Sequence, residues 1–350
     1  MKKYYDGTKL LSLMDISGNK PEIYICTSNR TAGKTTYFNR LAVNRFINKS
    51  EKFCLLYRFN YELDDIENKF FKDIQNLFFN SYEMKTKKQA KGIYTELFLR
   101  KEGEEIFVSC GYAISLNSAD QIKKFSHIFS DVYSIIFDEF QSETNHYCPN
   151  EIKKFISIHT SIARGNGKQV RYVPVYMISN PVSIINPYYV QLGISSRLRD
   201  DTKFLKGDGF VLEQGYNEYA SIAQKESAFN KAFSNNKYSI YSSEGVYLND
   251  SQAFIEKMNG NSKYLCTVKY KNSEYAIREF TEYGIIYCDD KPDKTYSEKI
   301  VITTDDHDIN FVMLRSNDLF IQQLRYYFER GCFRFKNLIC KEVILTMLSY

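Results

Sequence analysis

A glycine, a lysine and two threonines stand at the end of Ser28-Asn29-Arg30-Thr31-Ala32-Gly33-Lys34-Thr35-Thr36. The stretch has the spacing of a phosphate-binding loop, G-x-x-x-x-G-K-[ST], with Ser28 where the first glycine is usual. Such a loop takes a nucleoside triphosphate. Its backbone N–H groups and the positive end of the following helix surround the phosphates, Lys34 reaches the β and γ oxygens, and the Thr35 hydroxyl ligates Mg2+. An ordinary Gly-Lys-Thr turn is the competing reading, so context matters. An apolar strand, residues 23–27, precedes the loop. A helical stretch over 35–46 follows, with Phe38, Leu41, Ala42, Arg45 and Phe46 at three-and-four spacing. Strand, loop and helix in that order are what the mechanism requires.

The complementary half of such a site is Tyr133-Ser134-Ile135-Ile136-Phe137-Asp138-Glu139-Phe140, an apolar run ending in two carboxylates. Buried parallel strands read this way and deliver functional groups at their carboxyl ends. Asp138 would hold Mg2+ through water, and Glu139 would orient and activate the attacking water. A further apolar strand, 171–178, ends in Ser179-Asn180-Pro181. There Asn180, with Ser179 next, is the candidate sensor of the γ-phosphate, against the simpler reading of an Asn-Pro turn. The short basic loop 161–171 offers Arg164 as an arginine finger acting on a neighbouring subunit's nucleotide, worth roughly 10³–10⁵ in rate. Arg171 and Arg197 compete for that role, and a solvent-facing arginine is the plain alternative.

Positioning these groups takes a large α/β unit. The first two hundred residues alternate strands with helical stretches, as a parallel sheet covered on both faces should. Strands are expected at 23–27 and 53–59, a helix over 64–79, a hairpin from 96–100 and 105–109, a capped helix start at Ser118, and a helix over 150–162. At 350 residues the chain exceeds one ordinary core. The expected organisation is an ATPase domain over 1–205, a linker or lid over 206–235, and a smaller α+β domain over 236–350. Eight scattered cysteines without a C-x-x-C pair, beside only four histidines, argue against a zinc site or a disulfide framework. No stretch has the apolar length of a membrane span. The net charge of +5 is mild, and the excess of Lys and Arg lies in the first two thirds of the chain. Lys85, Lys87, Lys88 and Lys91 form the densest basic stretch and are candidate contacts to DNA phosphates, with a solvated loop as the alternative.

Taken together, these residues resemble the DNA-packaging (encapsidation) ATPases of small short-tailed phages, the phi29-like group, relatives of large terminase subunits. The resemblance rests on Arg30 inside the phosphate loop, Tyr57-Arg58 ending the second strand, Ile136-Phe137-Asp138-Glu139-Phe140, and Ile178-Ser179-Asn180. It covers residues 20–200. It implies a P-loop NTPase of the additional-strand, catalytic-glutamate type, using ATP and Mg2+. It also implies a homomeric ring, typically of five subunits, at the portal vertex of a procapsid in the host cytoplasm, drawing double-stranded DNA inward. A packaging RNA is a further partner that it leaves open.

The order of elements after residue 236 resembles a ribonuclease-H-like fold, as terminase nuclease domains have. Such nucleases need a carboxylate on the first strand to help hold two metals about 3.5–4 Å apart, and residues 265–270 carry none. The expectation is a nuclease-like fold without the nuclease. Two other classes remain. One is a terminase or helicase-like translocase with metal-dependent cleavage through Asp289, Asp305 or Asp306. The other is a non-catalytic assembly protein that keeps a nucleotide pocket.

Overall fold

The computed structural model describes residues 4–144, 146–165, 167, 169–195, 197–198, 202–244, 247, 254–314 and 318–349. The chain divides into two compact units, Met1–Asn249 and Asp250–Tyr350.

Apolar runs become buried strands in the first unit. Strands β1 (Ile23–Thr27), β2 (Lys52–Tyr57), β3 (Tyr82–Gln89), β4 (Tyr94–Lys101), β5 (Val108–Ser115), β6 (Val132–Asp138), β7 (Val175–Ser179), β8 (Phe204–Gly207) and β9 (Phe210–Gln214) form one sheet. Their order is β3-β4-β5-β2-β6-β7-β1-β9-β8. The six strands from β5 to β9 in that order run parallel. β3 and β4 extend one edge and β8 the other, all antiparallel. β7 lies between β1 and β6, with Ile25 and Phe137 both level with Met177. The phosphate-loop strand and the Asp-Glu strand are therefore separated by one inserted strand, as expected of the additional-strand type.

Because side chains alternate across a strand, the sheet has two cores. Ile135 and Phe137 join Met177, Ile25 and the helix Glu151–Ile162 on one face. Ile136 joins Tyr176, Ile178 and the helix Lys34–Lys49 on the other. Each fully buried side chain of this size stabilises the sheet by about 1.5–3 kcal/mol.

Three expectations are corrected. The boundary near residue 205 cuts through the sheet, because β9 pairs in parallel with β1; the first unit runs on to Asn249. The basic stretch at 85–91 is not a loop between elements: Lys85, Lys87 and Lys88 lie on edge strand β3, while Lys91 sits in the left-handed turn after it (φ 58°). Lysines are poor strand formers, but they serve on an edge, where they discourage pairing with other chains. The helix over 64–79 is shorter, running through 66–78, with a π-helical first part, Glu67–Lys72, that continues unbroken into Asp73–Phe78.

The second unit holds β10 (Lys263–Tyr270), β11 (Ser273–Phe280), β12 (Ile285–Asp289), β13 (Lys299–Val301), β14 (Val312–Met313) and β15 (Phe333–Phe335). The first three make the expected antiparallel meander. β13 and β14 add on in parallel beyond β10, and β15 beside β12, giving the order β14-β13-β10-β11-β12-β15. Strands three, two, one, four and five of this unit thus stand in ribonuclease-H-like order. Helices Leu319–Glu329 and Leu338–Ser349 follow, and Leu324, Val343 and Ile344 from them enter the core.

Candidate active site

The loop after β1 takes its shape from its backbone. Thr31 (φ 60°) and Gly33 (φ 92°) are both left-handed, and Gly33 caps the helix Lys34–Lys49. Ser28 has no positive φ, so glycine's freedom is not needed there; the space is made across the way. A Cβ on Gly215 would already touch the Ser28 Cβ at 3.4 Å. The loop is tied down from two sides. Tyr5 N donates to Ala32 O at 2.8 Å, and the Tyr5 hydroxyl donates to Glu213 at 2.7 Å. Asn29 donates to Asn217 O (3.0 Å) and Ser243 O (3.3 Å), and Arg30 N donates to Ser242 O (3.1 Å). Residues 217–244 therefore lie over the phosphate loop within the same compact unit.

Lys34 Nζ is buried and donates to Ser28 O (2.9 Å), Asn29 O (3.1 Å) and Asn180 Oδ1 (3.2 Å). Burial pulls its pKa down, against the attraction of Asp138. Asn180, just past β7, is thus brought to the lysine, whereas the Ser179 hydroxyl is buried without a partner. Asp138 ends β6 and accepts the Glu139 N–H at 2.9 Å, and Thr35 beside it favours the charged carboxylate. Burial pushes its carboxyl up. An all-oxygen pair of a hydroxyl and a carboxylate suits a hard cation such as Mg2+.

Glu139 occupies a left-handed turn (φ 53°) directly after the strand. Although its residue is exposed, its carboxyl is raised by desolvation first, then by the charges of Asp138 and Glu143, with Arg30 opposing. The turn is held from beneath. Arg58, past the end of β2 and 6% exposed, donates to Glu139 O (3.2 Å) and Phe140 O (2.7 Å). Its charge is matched by buried Glu151 at 3.1 Å, which also accepts from the Tyr188 hydroxyl (2.8 Å) and Cys148 N (2.7 Å). Arg30, Lys34, Thr35, Asp138, Glu139 and Asn180 line one cavity of about 1070 Å3.

Other candidates lie elsewhere. Arg164 is exposed, donates to Ser126 Oγ at 2.7 Å, and does not line its own chain's cavity. Arg171 is committed to Val132 O and Ile162 O, and Arg197 to Lys206 O. On the β3 edge, Lys85 faces Glu83 (3.8 Å) and Lys88 faces Asp64 (2.6 Å). In the second unit Asp289 is paired with Arg278 at 2.9 Å. Asp306 accepts from the backbone of Lys271 and Asn272, and the side chain of Asp305 lies outside the described residues. The sequence reading used Arg58 only as part of the family resemblance, without a role, and singled out none of Glu143, Glu151, Tyr238 or Tyr241. An arginine closing an otherwise apolar strand was the one available signal, since buried arginines are rare and need partners.

The Podovirus DNA encapsidation protein (Gp16) profile matches residues 2–349. The chain belongs to that family. As a podovirus DNA encapsidation protein it is 26% identical over 344 residues to the DNA packaging protein of Bacillus phage phi29, covering 97% of this chain and 95% of the relative. It is 28% identical over 326 residues to that of Bacillus phage B103, covering 91% and 94%. Among solved structures, the phi29 viral genome packaging motor assembly superposes with a TM-score of 0.69 at 24% identity, covering 99% of this chain and 100% of that one. The Phi-28 gp11 DNA packaging motor gives 0.60 at 17% identity, covering 99% and 98%. The encapsidation protein thus shares its fold over both units with these motors.

Proposed function

We propose that this protein is the ATP-hydrolysing subunit of a motor that drives double-stranded viral DNA into a preformed procapsid, working as a homomeric ring of five subunits at the portal vertex in the host cytoplasm. The observation that carries the reading is the convergence of Lys34, Thr35, Asp138, Glu139 and Asn180 on one cavity at the carboxyl ends of β1, β6 and β7. Near-complete coverage of the phi29 packaging protein supports it.

Each residue then has a task. The loop N–H groups bind the phosphates, and Lys34 exchanges its carbonyl partners for β and γ oxygens. Thr35 and Asp138 would hold Mg2+, which neutralises charge on those oxygens when bound. Glu139, fixed by Arg58, accepts a proton from the attacking water, and Asn180 reports on the γ-phosphate through Lys34. Arg164, exposed after a rigid helix, serves the neighbouring subunit's site. The lysines of β3 meet DNA phosphates, a contact that carries no sequence readout. Portal, procapsid and a packaging RNA are the assembly partners of this reading. Nuclease activity is not part of it, because Asp289 and Asp308 are already spent on Arg278 and Lys269.

The test is steady-state ATP hydrolysis with double-stranded DNA for wild type, Glu139→Gln, Arg164→Ala and a mixture of the two variants. Turnover by wild type, loss in each variant and partial recovery on mixing is the expected result. Nucleotide binding without turnover would replace the motor with a structural nucleotide pocket.

A further inference from the structure

Glu143 stands four residues after Glu139 and makes three contacts that join the phosphate loop to the segment lying over it. Its Oε1 accepts from Arg30 Nη2 and from the Tyr241 hydroxyl (2.8 Å), and its Oε2 accepts from the Tyr238 hydroxyl (3.0 Å). The two tyrosines lie one turn apart on the helix Lys237–Glu244 of that segment. Their rings flank the Arg30 guanidinium at 5.3 and 6.0 Å. Arg30 therefore rests in a clasp built from two distant parts of the chain.

The clasp is made to be exchanged. Among the described residues Arg30 Nε is buried without an acceptor, so one side of the guanidinium fork is unused there. The ion pair is about one-third exposed on both sides (36% and 30%), and pairs in that range hold weakly. A terminal phosphate offers an arginine two charge-assisted hydrogen bonds and more charge than one carboxylate. Arg30 lines the cavity with Lys34 and Glu139, and its charge is felt at both. After Arg30 leaves, Glu143 keeps two tyrosine hydroxyls, so its carboxylate is not stranded.

We propose that Glu143 is a positioning residue for ATP hydrolysis: it holds Arg30 until a γ-phosphate arrives and then yields it, setting the site's preference for ATP over ADP. The proposal rests on the ATPase reading above. ADP lacks the phosphate that draws Arg30 away, so the clasp stays closed around it. ATP opens the clasp, and the opening is passed to the overlying segment through Tyr238 and Tyr241.

The experiment measures the affinities of the full-length chain for ADP and for adenylyl imidodiphosphate, each with Mg2+, by competition against a fluorescent nucleotide. Glu143→Gln keeps an acceptor for a tyrosine but loses the charge that holds Arg30. It should raise the triphosphate-to-diphosphate affinity ratio about fivefold. In an Arg30→Ala background the same substitution should leave the ratio where it was. The paired variant Tyr238→Phe, Tyr241→Phe should move the ratio the other way, because a carboxylate with fewer donors grips Arg30 harder. An unchanged ratio in both variants, an equal change for both nucleotides, or a Glu143→Gln effect that survives without Arg30 overturns the proposal. A wild-type chain that binds neither nucleotide overturns the ATPase reading instead, and this proposal with it.

Discussion

Glu139 is held where its charge is unwelcome. Its carboxyl is raised by desolvation first and then by the charges of Asp138 and Glu143, so ionising it costs the folded protein more than it costs the unfolded chain. For an acid with a raised folded pKa, this destabilisation is absent below the unfolded value, grows as pH rises through the window up to the folded value, and stays constant above it. Glu139→Gln should therefore melt higher than wild type near pH 8, with the difference closing toward pH 4, as read by thermal unfolding across pH. Its hydrolysis should fall by about 10²–10⁴, the usual worth of a general base. Arg58 gives the opposite result. Replacing it with Ala leaves Glu151 buried without its cation, and breaking such a pair costs about 3–5 kcal/mol. Urea unfolding should show that loss, and an unchanged midpoint would mean that Glu151 is rescued by Tyr188 and Cys148 alone. Lys34, Thr35, Asp138 and Glu139 were legible in the sequence because each belongs to a local pattern. Arg58 and Glu143 were not, because their meaning comes from partners such as Glu151 and Tyr241, which only the fold brings near.

The strands that carry chemistry were likewise legible, since β1, β6 and β7 are short apolar runs with polar ends. β3 was hidden by its lysines, and β9 by lying beyond residue 205, where the ATPase domain was expected to end. As an edge strand, β3 presents Lys85, Lys87 and Lys88 on a firm backbone rather than on a loop. That placement matters for gripping a polyanion, because less side-chain and backbone freedom is lost on contact. Exchanging the three for alanine should weaken binding to double-stranded DNA and flatten its dependence on salt, by about 0.9 in log–log slope for each phosphate contact removed. A slope equal to that of wild type would place the grip on another element.

At the scale of the molecule, the ribonuclease-H-like order of β10 to β14 followed from the spacing of short strands, whereas the boundary between units did not, because β8 and β9 complete the first sheet from beyond the expected break. Among the described residues no helix is long and apolar enough to cross a membrane. Among the described residues, the C-terminal part of the first unit contacts the phosphate loop and β9. Ser242 and Ser243 carbonyls take hydrogen bonds from Arg30 and Asn29, and Tyr247 is tied to Gln214, shortly before the chain passes into the second unit. Tension applied to the second unit would enter the first close to the loop proposed to hold the phosphates. A chain stretched between handles at Arg40 and Lys299 should shed fluorescent ADP faster as the force rises. On that outcome nucleotide release would act as a force gauge, with resistance met by the cargo felt at the phosphates without a separate sensor.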